Sequence, residues 1–161
     1  MDFWSNIFHE TSCNTVLELA SGTGRLAHVF LHGRASYTGL EICSEFVCAA
    51  QKKFDTCSKN VSFVCGNMCD FNLNEQFDLI FIGFNSFLHL LTDNDVAKFF
   101  DCIKKHMHEN SRFIIDIYIP HPLFLYRPDN TFFHVLEYRD SRTKEHIFVE
   151  ETNVYDNETE I

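Results

Sequence analysis

A doubly wound α/β fold, with a mainly parallel sheet and a C-terminal antiparallel hairpin, is predicted by three features of the sequence. Short aliphatic and β-branched runs alternate with segments of helical spacing as far as residue 119. The first of these runs breaks at a glycine-rich turn. The remaining residues lose the alternation and carry all three prolines, Pro120, Pro122 and Pro128. Strands alternating with helices imply parallel pairing through right-handed crossovers, and ligands of such sheets bind beyond the carboxyl ends of the strands.

Taken in order, residues 15–19 (T-V-L-E-L) form the first expected strand, which stops at Ala20-Ser21-Gly22-Thr23-Gly24. Residues 25–32 place Leu26, Ala27, Phe30 and Leu31 at helical spacing, with Gly33 as the C-cap. The pattern repeats with a strand over 36–40, a helix capped by Ser44 and running to about Phe54, and a third strand over 61–65. Residues 77–82 (F-D-L-I-F-I) are the fourth strand, a helix opened by Asp93 or Asp95 runs through Lys105, and residues 112–119 are the fifth. Two further strands, 132–138 and 146–154, flank the turn Asp140-Ser141-Arg142-Thr143. The expected division is a ligand-binding domain over 1–120 and a partial antiparallel appendage over 121–161.

Composition narrows the function classes. With 161 residues, 45% hydrophobic and 15% aromatic, the chain can bury a core and is too apolar for disorder. The formal charge of −10 disfavours a nucleic-acid partner, whose phosphates require Lys and Arg. Seven cysteines, an odd number with no C-x-x-C pair, fit reduced thiols and neither a disulfide framework nor a zinc site. No basic leader and no apolar run of membrane-spanning length is present, so a soluble, cytoplasmic protein without a membrane partner is expected. The pairs His28/His32 and His106/His108 lack carboxylate or thiolate company and read as solvated faces, so no metal is expected.

Gly22-Thr23-Gly24-Arg25-Leu26-Ala27 fits G-x-G-x-x-A, a pattern that by itself admits a dinucleotide. Glu18, at the end of the first strand, argues otherwise: a carboxylate beside the turn would repel a diphosphate. It suits a cationic ligand, such as the ammonium of a methionyl group next to a sulfonium. Glu41, ending the second strand, can accept hydrogen bonds from both ribose hydroxyls, which either cofactor class requires. After the third strand, Asn67 can meet an adenine edge and Met68 its face. Each residue also has a plain structural reading. Glu18 can cap backbone amides, Glu41 can initiate the helix at Ser44, and Asn67-Met68 can be an ordinary polar turn.

Five blocks carry a family resemblance: residues 16–27 (V-L-E-L-A-S-G-T-G-R-L-A), 37–43 (Y-T-G-L-E-I-C), 63–71 (F-V-C-G-N-M-C-D-F), 77–92 (F-D-L-I-F-I-G-F-N-S-F-L-H-L-L-T) and 112–118 (R-F-I-I-D-I-Y). In this order and spacing they resemble the motifs of small class I S-adenosylmethionine-dependent methyltransferases, over nearly the whole chain. The resemblance implies a Rossmann-like sheet in the strand order 3-2-1-4-5 and S-adenosyl-L-methionine as cofactor. It implies that Glu18, Ala20, Ser21, Gly22 and Gly24 line the methionine side, and that Glu41 and Ile42 hold ribose and adenine. Asn67 and Met68 would flank the adenine, while Phe84 and Asn85 would border methionine and substrate. Ala20 stands where many members have Gly, and Asn67 where Asp is commoner.

Methyl transfer from a sulfonium is an in-line displacement in which the protein contributes mainly orientation. Candidates for the acceptor site are Asn85, Ser86 and His89 after the fourth strand and Asp116, Tyr118 and His121 around the end of the fifth, with His89 a candidate general base. The absence of N-P-P-[YF] after the fourth strand removes support for a nucleobase substrate and leaves a small molecule or another exposed acceptor. Similar enzymes carry a cofactor-covering helical segment ahead of the Phe3-Trp4 region. They also continue beyond a Tyr-Asp-x-x-Thr-Gln element, which residues 155–160 resemble. The resemblance therefore implies a chain cut short at both ends, with the fifth strand's edge exposed and prone to dimerisation or to pairing with a partner segment. A catalytically inactive remnant that serves as a binding module is the alternative reading, and a nicotinamide-dependent oxidoreductase a further one.

Overall fold

The computed structural model describes residues 2–11, 13–31, 35–54, 60–156 and 158. The Gly33 cap, His32 and part of the 155–160 element lie outside them. The chain divides into two compact units, Met1–Tyr118 and Ile119–Ile161.

The first unit runs α1 (Asp2–Thr11), β1 (Thr15–Leu19), α2 (Ala27–Leu31), β2 (Ser36–Glu41), α3 (Ser44–Phe54), β3 (Val61–Cys65), β4 (Phe77–Ile82), a 3₁₀ turn (Ser86–His89), α4 (Asp93–Lys105) and β5 (Met107–Ile115). Its sheet is parallel throughout, in the order β3-β2-β1-β4-β5. The central strands β1 and β4 are apolar on both faces because both are covered, as the burial of Val16, Leu17, Leu19 and the run Leu79 to Ile82 records. Alternate residues feed separate cores. Val16, Leu79 and Phe81 join Phe30, Tyr37, Phe54 and Phe63 on one face, while Leu17, Leu19, Ile80 and Ile82 join Leu40, Phe77, Phe99 and Ile103 on the other.

The main departures from the sequence expectation have local causes. A helix, α1, precedes β1 where the reading placed no element. Its Trp4, Ile7 and Phe8 share one face at helical spacing, and buried Trp4 lies with its ring centroid 4.5 Å from that of Phe81. Helix α2 starts two residues late because Gly22 to Leu26 form a continuous turn, closed by the Gly24 N–H on the Ser21 carbonyl at 3.0 Å. Helix α4 is capped by Thr92, whose hydroxyl oxygen accepts the Asp95 N–H at 3.1 Å, so Asp93 and Asp95 both lie inside its first turn.

Strand β5 begins at Met107 and ends at Ile115, instead of spanning 112–119. A bulge between the pairs Phe77↔Met107 and Leu79↔Arg112 accommodates the extra residues, and the Asp116 N–H on the Ile82 carbonyl at 2.9 Å marks where β4 runs out.

The histidines near the end of α4 are not a solvated face. His106 is buried, with Nδ1–H donating to the Cys102 carbonyl at 2.7 Å and Nε2 accepting the Leu73 N–H at 2.9 Å. His108 donates from Nε2 to Asp78 at 3.0 Å and accepts the Asn110 N–H at Nδ1. Asp78 also takes the Asn14 and Thr15 N–H groups at 2.7 and 3.0 Å. Partial burial opposes its ionisation, and these donors outweigh that effect and hold the carboxyl below its ordinary range. His28 lies against the Phe54 ring at 4.7 Å.

The second unit holds α5 (Pro122–Leu125) and an antiparallel hairpin of β6 (Phe133–Arg139) and β7 (His146–Glu151). Strand β7 stops short of the expected residue 154. Just beyond it, the Asn153 amide donates to the carbonyls of Phe124 and Leu125, both at 3.1 Å. His121 caps α5: its Nδ1 accepts the Leu123 N–H at 3.1 Å. Among the described residues no helix is long and apolar enough to cross a membrane, and no group of three or more His, Cys, Asp or Glu could hold a metal.

Candidate functional site

The turn after β1 uses left-handed backbone at alternate residues: Ala20 at φ 53°, Gly22 at 55° and Gly24 at 73°. The two glycines answer different needs. A Cβ on Gly24 would lie 2.5 Å from the Phe63 ring and 2.9 Å from Phe54, so this glycine lets the turn sit on the aromatic core. A Cβ on Gly22 would meet nothing within 4 Å, so that glycine faces open space. Between Ala20 and Gly22, the Ser21 N–H donates to the Leu40 carbonyl at 3.1 Å. Its hydroxyl is buried without a hydrogen-bond partner among the described residues.

Glu41 joins this turn to the end of β2. The Gly22 N–H donates to one carboxylate oxygen and the Cys43 N–H to the other, each at 2.9 Å, with the side chain 8% exposed. Two backbone donors fix the plane of the carboxylate, and each oxygen keeps a lone pair beyond the one engaged.

Glu18 is placed differently. It is 4% exposed, pairs along β1 with Gly39 of β2, and accepts a hydrogen bond from the buried Tyr37 hydroxyl. Burial is the main cause that pushes its carboxyl up from 4.5 to about 8. The Tyr37 hydroxyl and the charge of Arg25 oppose the rise, and Glu41 adds to it. Burial, with Glu18 second, also drives the Tyr37 phenol well above its ordinary value. Burial therefore works against the standing negative charge that the sequence reading assigned to Glu18.

At the carboxyl ends of the strands lies a cleft of 670 Å³, within the size range of small-molecule sites. It brings together Ala20, Gly22, Glu41, Ile42, Asn67 and Met68 from the sequence-derived cofactor set, and Ser86 and His89 from the acceptor set. Glu18, Ser21, Gly24, Phe84 and Asn85 do not line it. The amide oxygen of Asn67 accepts the Cys69 N–H at 2.9 Å, which folds the turn that carries Met68.

The lining also includes Phe46, Cys69, Leu90 and Asp95, which sequence reasoning did not place there. Phe46 and Asp95 lie in the first turns of α3 and α4, the helices that follow β2 and β4. Their position at strand-end helix starts was the available signal. Cys69 donates weakly from its thiol to the Asp95 carbonyl at 3.5 Å, and burial raises the thiol's pKa.

Beyond β4, Phe84 and Asn85 are both left-handed, at φ 54° and 63°. The Phe84 N–H donates to the Asp116 carboxylate and the Asn85 N–H to the Asp116 carbonyl, each at 3.3 Å, while the Asn85 amide oxygen accepts the Tyr118 N–H. Asn85 and Asp116 thus tie the ends of β4 and β5 together, and the Tyr118 side chain is 52% exposed. Arg25, from the glycine turn, lies with its guanidinium carbon 3.7 Å above the Phe84 ring.

Comparison with known proteins adds to this geometry. Residues 16–110 match the methyltransferase domain family. The putative methyltransferase YqeM of Bacillus subtilis is 26% identical over 118 residues, covering 73% of this chain and 47% of YqeM. The chain thus spans about half the length of that curated relative. A crystal structure of an S-adenosylmethionine-dependent methyltransferase from Clostridium acetobutylicum superposes with a TM-score of 0.72 at 21% identity, covering 98% of this chain and 74% of that one. The sugar N-methyltransferase KedS8 from Streptoalloteichus gives 0.65 at 18%, covering 98% and 73%. The glycopeptide N-methyltransferase MtfA, complexed with S-adenosyl-L-methionine, gives 0.64 at 19%, covering 94% and 66%. At these identities the structural likeness establishes the shared fold.

Proposed function

The chain belongs to the class I S-adenosylmethionine-dependent methyltransferase family, and from that premise we propose that its cleft holds S-adenosyl-L-methionine and that the domain methylates a small molecule or another exposed acceptor group. The observation that carries this reading is the Glu41 carboxylate, oriented by the Gly22 and Cys43 amides and lining the cleft where β2 ends. Its remaining lone pairs suit the two hydroxyls of a ribose. The residues present fit the rest of the cofactor. Gly22 leaves room for a close approach, Ser21 holds a buried hydroxyl without a partner among the described residues, and Ile42, Phe46 and Met68 offer apolar walls for a purine.

When bound, the cofactor supplies a sulfonium methyl already activated for in-line displacement, which leaves the chain to bind, orient and exclude water. Glu41 would hold the ribose, Ile42 and Met68 the base, and the Asn67 amide its polar edge. Glu18, whose ionised form burial disfavours, would meet the ammonium of the amino-acid tail. Ser86 and His89 line the cleft and would face the acceptor, with His89 the candidate general base. The names of KedS8 and MtfA, a sugar and a glycopeptide N-methyltransferase, support an acceptor that is small or exposed.

The net charge of −10 supports excluding nucleic acid as a partner. A cytoplasmic location and pairing of a second copy or partner segment along β5 complete the reading. Among the described residues β5 pairs only with β4.

Calorimetric titration with S-adenosylhomocysteine, run beside NAD, tests the cofactor assignment. Heat with the first compound alone is expected, and heat with NAD alone would overturn the assignment. Binding without methyl transfer to any sugar or amine acceptor would favour the binding-module alternative.

A further inference from the structure

Strand β5 ends the sheet order on one side, and among the described residues its outer edge has no strand beside it. The Asp116 N–H donates to the Ile82 carbonyl, and alternate residues of a parallel strand bond to the same neighbour, so Ile114 and Asp116 turn their backbone groups toward β4. Phe113 and Ile115 therefore turn theirs outward, and an edge of this kind is a template for another strand. The side chains along it are incompletely covered. Phe113, Ile114 and Ile115 are half-buried, and Phe100 of α4, whose ring centroid lies 6.1 Å from that of Phe113, is 42% exposed. Arg112 is exposed and has no ion-pair or hydrogen-bond partner among the described residues. Asp116 engages one carboxylate oxygen, with the Phe84 N–H at 3.3 Å.

We propose that the occupant of this edge is β5 of a second copy of the chain, paired antiparallel about a two-fold axis at Ile114. The inference rests on the pairing along β5 read above and names its partner and register. A closed pair of identical edges is related by a two-fold axis, and an axis that crosses the sheet keeps each face continuous from one copy to the other. About Ile114 the run R-F-I-I-D, residues 112–116, is complementary to itself. Phe113 and the partner's Ile115 use their outward backbone groups as a hydrogen-bonded pair and set an aromatic side chain against a β-branched one. Ile114 meets its own copy at the axis. Arg112 falls opposite the partner's Asp116 in a non-hydrogen-bonded pair, where side chains approach most closely, and symmetry repeats that ion pair beyond the axis. Both charges share the face of Ile114, because residues two apart along a strand point the same way. Neighbouring centres fail: one at Phe113 sets Arg112 against Ile114, and one at Ile115 sets Asp116 against Ile114, each placing a charge on an apolar side chain. The opposite edge of the sheet, β3, reads V-S-F-V-C and has no charge with which to fix a register. Charge complementarity thus selects the strand, its direction and its alignment.

Sedimentation equilibrium on the full chain is the test, and the unchanged protein should dimerise. Arg112→Asp and Asp116→Arg each set like charges across both symmetry-related pairs, and each should raise the dimer dissociation constant about tenfold to a hundredfold. The double exchange R112D/D116R restores opposite charges and should restore the dimer. Mixing the two single variants should give a heterodimer at concentrations where each alone is monomeric, a recovery that misfolded chains would not show. Ser62→Lys, on the β3 edge, should leave dimerisation unchanged. A dimer indifferent to both charge reversals, singles that neither mixing nor the double exchange rescues, or a dimer abolished by Ser62→Lys overturns the inference. A monomer at every concentration overturns it together with second-copy pairing. The cofactor titration above reads out separately, so the methyltransferase reading stands or falls independently of either result.

Discussion

The Tyr37 hydroxyl donates to the Glu18 carboxylate between neighbouring strands, with both side chains buried. A phenol driven up in pKa and a carboxyl raised to about 8 by burial share one proton-rich site beneath the glycine turn. Its consequence is a pH dependence of opposite sign to that of most paired carboxylates.

In the unfolded chain Glu18 ionises near its ordinary value of 4.5, and in the folded chain near 8. Between those values the folded state binds more protons. Glu18 therefore contributes stability that is complete below the ordinary value and lost as pH rises through about 8. Urea-unfolding midpoints between pH 5 and 9 should fall with rising pH, and Glu18→Gln should flatten the slope. Asp78, whose carboxyl is lowered, contributes stability that is lost only in acid, below this window. Parallel slopes for the two proteins would remove Glu18 as the source.

Ala20 and Gly24 both lie in left-handed backbone and should respond in opposite directions. Ala20→Gly relieves a strained φ at some cost in unfolded-state entropy, for a net gain of about 0.5–1 kcal/mol. Gly24→Ala drives a methyl into Phe63 and Phe54 as well as straining φ, and should cost about 2–4 kcal/mol. Thermal unfolding of the two variants measures both. A destabilised Ala20→Gly would show that the Ala20 methyl is held by packing that outweighs the strain.

Removing the Glu41 carboxylate leaves the Gly22 and Cys43 amides without their acceptor. Glu41→Ala should lower stability by about 2–3 kcal/mol and weaken S-adenosylhomocysteine binding by more than about tenfold. Calorimetry and urea unfolding on the same preparation separate the effects. Retained affinity would take Glu41 out of the binding site and leave it as a tie between β2 and the turn.

His106 stacks on Phe71 at 4.4 Å and closes a link from Cys102 in α4 to Leu73 ahead of β4. His106→Ala strands the part-buried Leu73 N–H and the buried Cys102 carbonyl and opens a cavity, at a cost of about 2–4 kcal/mol. Gln at this position can replace one of the two bonds and should recover part of the loss. Hydrogen exchange at the Leu73 amide reports the link directly, and unchanged protection in His106→Ala would show that the bond contributes nothing.

The alternation of strands and helices, the break at Gly22 and the end of β2 at Glu41 were legible because they follow from local periodicity and from which residues tolerate a turn. Sequence reasoning missed α1, although Trp4, Ile7 and Phe8 recur at helical spacing, because ten residues ahead of a strand carry no evident cap. It set β5 too far along the chain because a bulge has no periodic signature, and pairing with β4, ending at Ile82, decides where β5 ends. His106 looked like half of a surface pair, and only its three-dimensional neighbours identify it as a buried link.

The sequence by itself determined the fold class, the strand order that its family resemblance implied, and the chemical types gathered at the strand ends. Those properties reside in periodicity, turn chemistry and ordered motifs. Tertiary structure alone decided the burial of Glu18, the plane of the Glu41 carboxylate, the division of labour between Gly22 and Gly24, and the placement of Arg25 over Phe84. Each depends on which distant side chains exclude water or supply a partner, a matter of packing across the sheet that no local pattern encodes.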